Sequence, residues 1–375
     1  MPSSIVREKI VRCAKKIVIK IGTNTLTDDQ GRLDTHLITT LATQVSQLKE
    51  SGREVVIVSS GAVGAGIGVL KLPSRPKALP LLQAAAAVGQ NKLMQIFEKA
   101  FSKYDLPVAQ ILVTRADFID RRRYLNIERT LNALSRFNAI PIINENDTVA
   151  VDENRFGDND LIAALLSNLI HADLMVLLTV VDGLLDQTGK RVDFIPRVEN
   201  ETLALLRSEK SSLGSGGMRS KLQAVKMAID AGIDTVIANG RQENVLTQLI
   251  LAGEKFGTVF AGKSKKVTGK RRWIASAAKT SGKIIVDDGA AKMIISGGKS
   301  LLPIGIVNVE GEFDRGDVVA VLNREQQELA RGLSNYSTQQ LRKIQGKRSE
   351  DVRKLMGAQS DEEAIHRDNL IVTAG

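Results

Sequence analysis

Short apolar runs alternate with longer amphipathic stretches along most of the chain, and this alternation sets the fold class. Residues 16–21 read Lys-Ile-Val-Ile-Lys-Ile, and runs of the same kind recur at 54–58, 108–113, 140–143, 174–179 and 233–237. Between them, residues 36–50 place Leu37, Leu41, Val45 and Leu48 at helical spacing, and residues 81–102, 124–137, 161–166, 201–210 and 221–231 also predict helices. Strand after helix through about residue 260 predicts an open, mostly parallel sheet with helices on both faces. Beyond residue 280 the pattern changes to short strands at 283–287, 305–309 and 317–322 with glycine turns, a small β-rich domain. The expected boundaries are an α/β domain over 1–262, a basic linker over 263–280, the second domain over 281–358 and a tail over 359–375.

The apolar pattern breaks most sharply between 140 and 160. Ile140-Pro141-Ile142-Ile143 runs into Asn144-Glu145-Asn146-Asp147, and a second cluster, Gly157-Asp158-Asn159-Asp160, stands directly before the next helix. Asp and Asn are common in turns and as helix caps. Two clusters around one loop, at the carboxyl end of a strand, favour a ligand site instead. Three glycine turns add to it. Gly22-Thr23-Asn24-Thr25 follows Lys20, Ser59-Ser60-Gly61 follows the second strand, and residues 211–221 end in Gly216-Gly217-Met218-Arg219-Ser220-Lys221 at a helix start. Such turns let backbone N–H groups approach phosphate. None matches the Walker A pattern. A dinucleotide fold needs an acid about 20 residues past its glycines, and no Asp or Glu lies between Glu54 and Glu98, so a nicotinamide cofactor is not expected. The glycines after residue 60 serve either helix packing or an anionic ligand. The charge run over 115–123 reads as a solvated loop and helix start.

Composition narrows the classes further. Among 375 residues no apolar run approaches the ~20 a membrane helix needs, so a soluble, cytoplasmic protein with no membrane partner is expected. Cys13 is the only cysteine, and His36, His171 and His366 are scattered, so neither a disulfide nor a metal-ligating set is expected. The net charge of +10 is concentrated: residues 261–357 hold 19 Lys or Arg against 10 Asp or Glu. That excess raises RNA binding through the second domain as the alternative function. Only Trp273, Phe313 and Tyr336 are aromatic over the same span, too few for an evident stacking platform.

Two lysines beside glycine turns, with a loop of carboxylates and amides, suit phosphoryl transfer, which is mostly positioning and charge stabilisation. An acceptor that is already an anion needs no base, so an acyl phosphate is the expected product. Val18-Ile19-Lys20-Ile21-Gly22-Thr23-Asn24, Val58 to Gly66, Leu112 to Asp117, Ile142 to Asp147, Phe156 to Asp160 and Gly216 to Lys221 together resemble the amino acid kinase family, in its glutamate-phosphorylating branch. Asp287 to Ala290, Leu301 to Ile306 and Gly311 to Asp317 resemble the PUA domain that many bacterial members carry. The resemblance implies ATP-dependent phosphorylation of the glutamate side-chain carboxylate with Mg2+, the first step towards proline, and feedback inhibition by proline. It implies that Lys20 and Lys221 neutralise the moving phosphoryl group while Asp160 holds both lysines. Ser60, Asp147 and Asn159 would hold glutamate, Asp147 by its ammonium group. Lys20, Thr179, Val180, Ser215, Gly216, Gly217, Met218, Arg219, Ser220 and Lys221 would line the ATP site. Val180 stands where many members have Asp, with Asp182 as a candidate substitute. A homo-oligomer and handover of the product to glutamyl phosphate reductase are further expectations.

Overall fold

Strands β1 (Lys16–Ile21), β2 (Glu54–Ser59), β3 (Val108–Val113), β4 (Ile140–Glu145), β5 (Leu174–Thr179), β6 (Phe194–Ile195), β7 (Asp234–Asn239) and β8 (Thr258–Phe260) form one sheet. Their order is β3-β4-β2-β1-β5-β7-β8-β6. All neighbours are parallel except β7 and β8. The computed structural model describes residues 3–28, 32–150, 158–186, 188–196, 218–262, 274, 280–357 and 360–373. The expected helix at 201–210 and nearly all of the expected linker at 263–280 lie outside them. The chain divides into two compact units, Met1–Lys266 and Val267–Gly375.

Strand β5 is buried along its whole length, as an inner strand covered on both faces must be. On β1 the alternation of side chains decides where the chemistry goes. Ile17, Ile19 and Ile21 enter a core shared with Leu41 and Val45 of helix Thr35–Glu50 and with Leu93, Phe97 and Phe101 of helix Leu79–Phe101. Val18 and Lys20 therefore take the opposite face, which helix Asp158–Leu169 covers, with helix Met218–Asp230 packed beside it. An ammonium group is thus delivered to a covered face, where it needs a partner.

Helix Ala62–Val69 packs on helix Leu79–Phe101 almost backbone to backbone. A Cβ on Gly66 would lie 1.8 Å from the Ala85 carbonyl oxygen, and one on Gly89 would lie 1.8 Å from that of Ala62. At Gly66, packing is reason enough for glycine.

Two expectations change. The charge run over 115–123 is helical: Arg115–Ile119 starts with a capping box made by Thr114 and Asp117, and Arg121–Arg136 is capped by Asp120, which accepts from the Arg123 N–H. Caps outweigh the exposed charges there. The helix expected from residue 161 begins at Asp158, so Asn159 and Asp160 lie in its first turn.

In the second unit β9 (Gly282–Val286), β10 (Ile306–Gly311), β11 (Val318–Leu322), β12 (Glu328–Leu333) and β13 (Leu370–Val372) form a sheet ordered β10-β9-β11-β12-β13. β9 and β11 are parallel and the other pairs antiparallel. Residues 359–375 are therefore more than a tail: β13 adds an edge to the sheet, and Ile365 and Leu370 complete the core of this unit. A three-residue strand carries too little periodicity to be read from sequence. Among the described residues no helix is long and apolar enough to cross a membrane.

Candidate active site

Lys20 Nζ lies 2.6 Å from Asp160 Oδ1, and Lys221 Nζ lies 3.4 Å from Asp160 Oδ2. Residues far apart in sequence thus meet on one carboxylate at the carboxyl ends of the parallel strands, where open α/β sheets bind ligands. The side chains are 7%, 14% and 2% exposed for Lys20, Lys221 and Asp160, so water does little to screen the charges. Burial lowers the Lys20 pKa below 10.5, the Asp160 carboxylate opposes that shift, and the Lys221 charge adds to it. Two ammonium groups thus meet at one carboxylate, a setting that suits an anionic ligand. Ser220 Oγ is 3.5 Å from Asp160 Oδ2.

Asn159, one residue earlier in the same helical turn, reaches the other way. Its Nδ2 donates to Ser60 Oγ at 3.1 Å and to Asn144 Oδ1 at 3.0 Å. Ser60 leaves β2 just before Gly61, whose φ of +100° suits glycine, and the chain then enters helix Ala62–Val69. Asn144, near the end of β4, donates through Nδ2 to Gln90 Oε1 at 2.8 Å. Asp147 follows β4; burial pushes its pKa up to about 6, against the pull of the Arg75 guanidinium. The first turn of helix Asp158–Leu169 therefore links a cationic cluster through Asp160 to an amide and hydroxyl cluster through Asn159.

On the other side of β1, Thr179 closes β5, is buried, and accepts at its carbonyl from the Gly240 N–H at 2.8 Å. Val180 and Val181 are 45% and 39% exposed and form an apolar ledge. Asp182 is exposed, and its Oδ1 accepts from Asn239 Nδ2 at 2.9 Å. Met218, Arg219, Ser220 and Lys221 form the first turn of helix Met218–Asp230, with Arg219 exposed. Ser215, Gly216 and Gly217 lie outside the described residues.

In the sequence Asn144 stands out only as a member of the polar cluster after residue 143, with no role of its own, and Gln90 and Arg75 are not singled out. Gln90 sits in an otherwise ordinary helix pattern and gives no signal. Among the described residues no three His, Cys, Asp or Glu converge as a metal cage.

Fold and charge cluster define a phosphotransferase built on an open α/β sheet. Residues 15–239 match the Amino acid kinase family and residues 282–356 the PUA domain; the chain belongs to the amino acid kinase family. Curated relatives similar to it are named glutamate 5-kinase. That of Thermoanaerobacter sp. (strain X514) is 45% identical over 363 residues, covering 95% of this chain and 97% of the relative. That of Citrifermentans bemidjiense is 45% identical over 98% of this chain and 100% of its own length. That of Moorella thermoacetica is 43% identical over 96% of each.

Proposed function

We propose that this chain transfers the γ-phosphoryl group of ATP to the side-chain carboxylate of L-glutamate, giving glutamyl 5-phosphate and ADP on the route to proline. The observation that carries this reading is that Lys20 and Lys221 share Asp160, while the adjacent Asn159 belongs to the hydroxyl and amide cluster. A glutamate carboxylate oxygen attacks the γ-phosphorus, a new O–P bond forms, and the bond to the β,γ-bridging oxygen breaks, leaving ADP. The nucleophile is already ionised at neutral pH, so no general base is required. Negative charge dispersed over the moving group is stabilised by Lys20 and Lys221, which Asp160 holds in place in advance of the reaction. Magnesium, when bound with the nucleotide, neutralises further phosphate charge.

Asp147 and the Asn159 carbonyl face the glutamate ammonium group, and Ser60 offers its hydroxyl. Thr179, the Val180 ledge, and the segment from Ser215 through Gly216, Gly217, Met218, Arg219 and Ser220 to Lys221 line the nucleotide. Proline as feedback inhibitor, a homo-oligomeric state, a cytoplasmic location and handover to glutamyl phosphate reductase belong to the same reading. The test is purified protein with glutamate, Mg-ATP and hydroxylamine. Glutamyl hydroxamate should form, and Lys20→Ala should abolish it while the protein stays folded. Full activity in that variant removes Lys20 from the mechanism; no hydroxamate from the native protein removes the reaction.

A further inference from the structure

Three amide side chains stand behind the candidate substrate cluster, and one backbone N–H decides which way each faces. Asn144 Oδ1 accepts from the Glu145 N–H at 2.9 Å as well as from Asn159 Nδ2 at 3.0 Å. A backbone N–H only donates, so the Asn144 carbonyl oxygen must be the atom turned towards it. The Asn144 NH2 group then faces helix Leu79–Phe101, where Gln90 must present its oxygen, at 2.8 Å. The same Asn144 oxygen requires a donor from Asn159, which fixes the NH2 group of that side chain inwards. Its second hydrogen goes to Ser60 Oγ at 3.1 Å. Turning the Asn144 or Asn159 amide over sets donor against donor or acceptor against acceptor, with Asn144 2% and Gln90 8% exposed.

The result is a defined polarity. Asn159 Oδ1 is buried and finds no partner among the described residues. Ser60 Oγ accepts from Asn159 and, among the described residues, keeps its own hydrogen to donate. An acceptor beside a donor suits the ammonium and carboxylate groups of an α-amino acid.

We infer that Asn144 is a positioning residue for the amino acid substrate. It holds the Asn159 amide with Oδ1 towards the ammonium group and leaves the Ser60 hydroxyl as a donor to the carboxylate, acting through its neighbours. This rests on glutamate being the substrate, as proposed above.

Calorimetric titration of the full chain with glutamate, and separately with a non-hydrolysable ATP analogue, tests it on Asn144→Ala and Asn144→Asp. The alanine variant loses the acceptor. The aspartate variant keeps an acceptor for both the Glu145 N–H and Asn159, and Gln90 can meet it by turning its amide. Expected are a loss of about tenfold or more in glutamate affinity for Asn144→Ala, roughly one hydrogen bond, and near-native affinity for Asn144→Asp, with the ATP analogue bound alike by all. If Asn144→Ala proves unfolded, Asn144→Leu fills the space without an acceptor and takes its place. A role in packing alone predicts the reverse order, since the aspartate buries a charge; that order, or equal glutamate affinity in all three proteins, overturns the inference. Native protein that binds the ATP analogue but no glutamate refutes the substrate itself, and shows this before any variant is measured.

Discussion

Replacing Asp160 by asparagine keeps the shape of the side chain and removes the charge both lysines share. Lys20 is then left 7% exposed against a neutral amide. At the 2.6 Å separation and an effective dielectric of about 20, the lost attraction is ~6 kcal/mol before any relaxation. Lys20 can relax by giving up its proton. At pH 7.5 that costs an ordinary lysine, with a pKa of 10.5, about 4 kcal/mol. The smaller figure sets the bound, so Asp160→Asn should lose about 3–4 kcal/mol, in the range for breaking a buried pair, and on the order of 10 °C in Tm. The pH dependence has a definite sign. Folded Lys20 binds fewer protons than the unfolded chain below pH 10.5, and more so in the variant, so the deficit shrinks as pH rises. Thermal melts at pH 7 and pH 9 measure this, and the hydroxamate assay should show a loss on the order of 100-fold to 1000-fold, because a neutral Lys20 no longer stabilises the phosphoryl group. A variant that melts within about 2 °C of the parent, shows the same deficit at both pH values, or keeps a tenth of the rate refutes the shared-carboxylate mechanism.

Asp147→Asn should weaken glutamate binding about tenfold or more yet raise Tm at pH 8. An acid whose folded pKa is raised loses stability as pH climbs from 3.8 to about 6, and the amide escapes that penalty. In the native protein the same group makes the KM for glutamate rise as pH falls below about 6, which initial rates over a pH series will show; a flat KM removes Asp147 from the ammonium site. Gly89→Ala should destabilise by about 3 kcal/mol or more, because the new Cβ would sit 1.8 Å from a carbonyl oxygen. Gly68→Ala, whose Cβ meets nothing within 4 Å, is the control in the same melts.

The sequence by itself determined the sheet and most of its covering. Six strands of the first unit lie where apolar runs of fixed length place them; five are buried almost throughout, and a strand buried on both faces leaves a continuous hydrophobic signature, while β3 at the sheet edge is only partly buried. It also determined that Lys20 points away from Ile19 and Ile21, by the two-residue period alone. Caps were harder to read. Thr114, Asp117 and Asp120 turn a charged run into two helices through local hydrogen bonds that net charge does not reveal.

Only the tertiary structure decided what meets what. Nothing in the spacing of Lys20, Asp160 and Lys221 says that two ammonium groups converge on one carboxylate; strand order and the packing of two helices on one face do. Nor does the sequence orient an amide. Asn144, Asn159 and Gln90 are neutral side chains whose donors and acceptors are interchangeable until a backbone N–H, fixed by β4, forces one arrangement. The edge strand at Leu370–Val372 is the same kind of case. It exists because β12 offers an unpaired edge, and local sequence carries no record of a partner about 40 residues away.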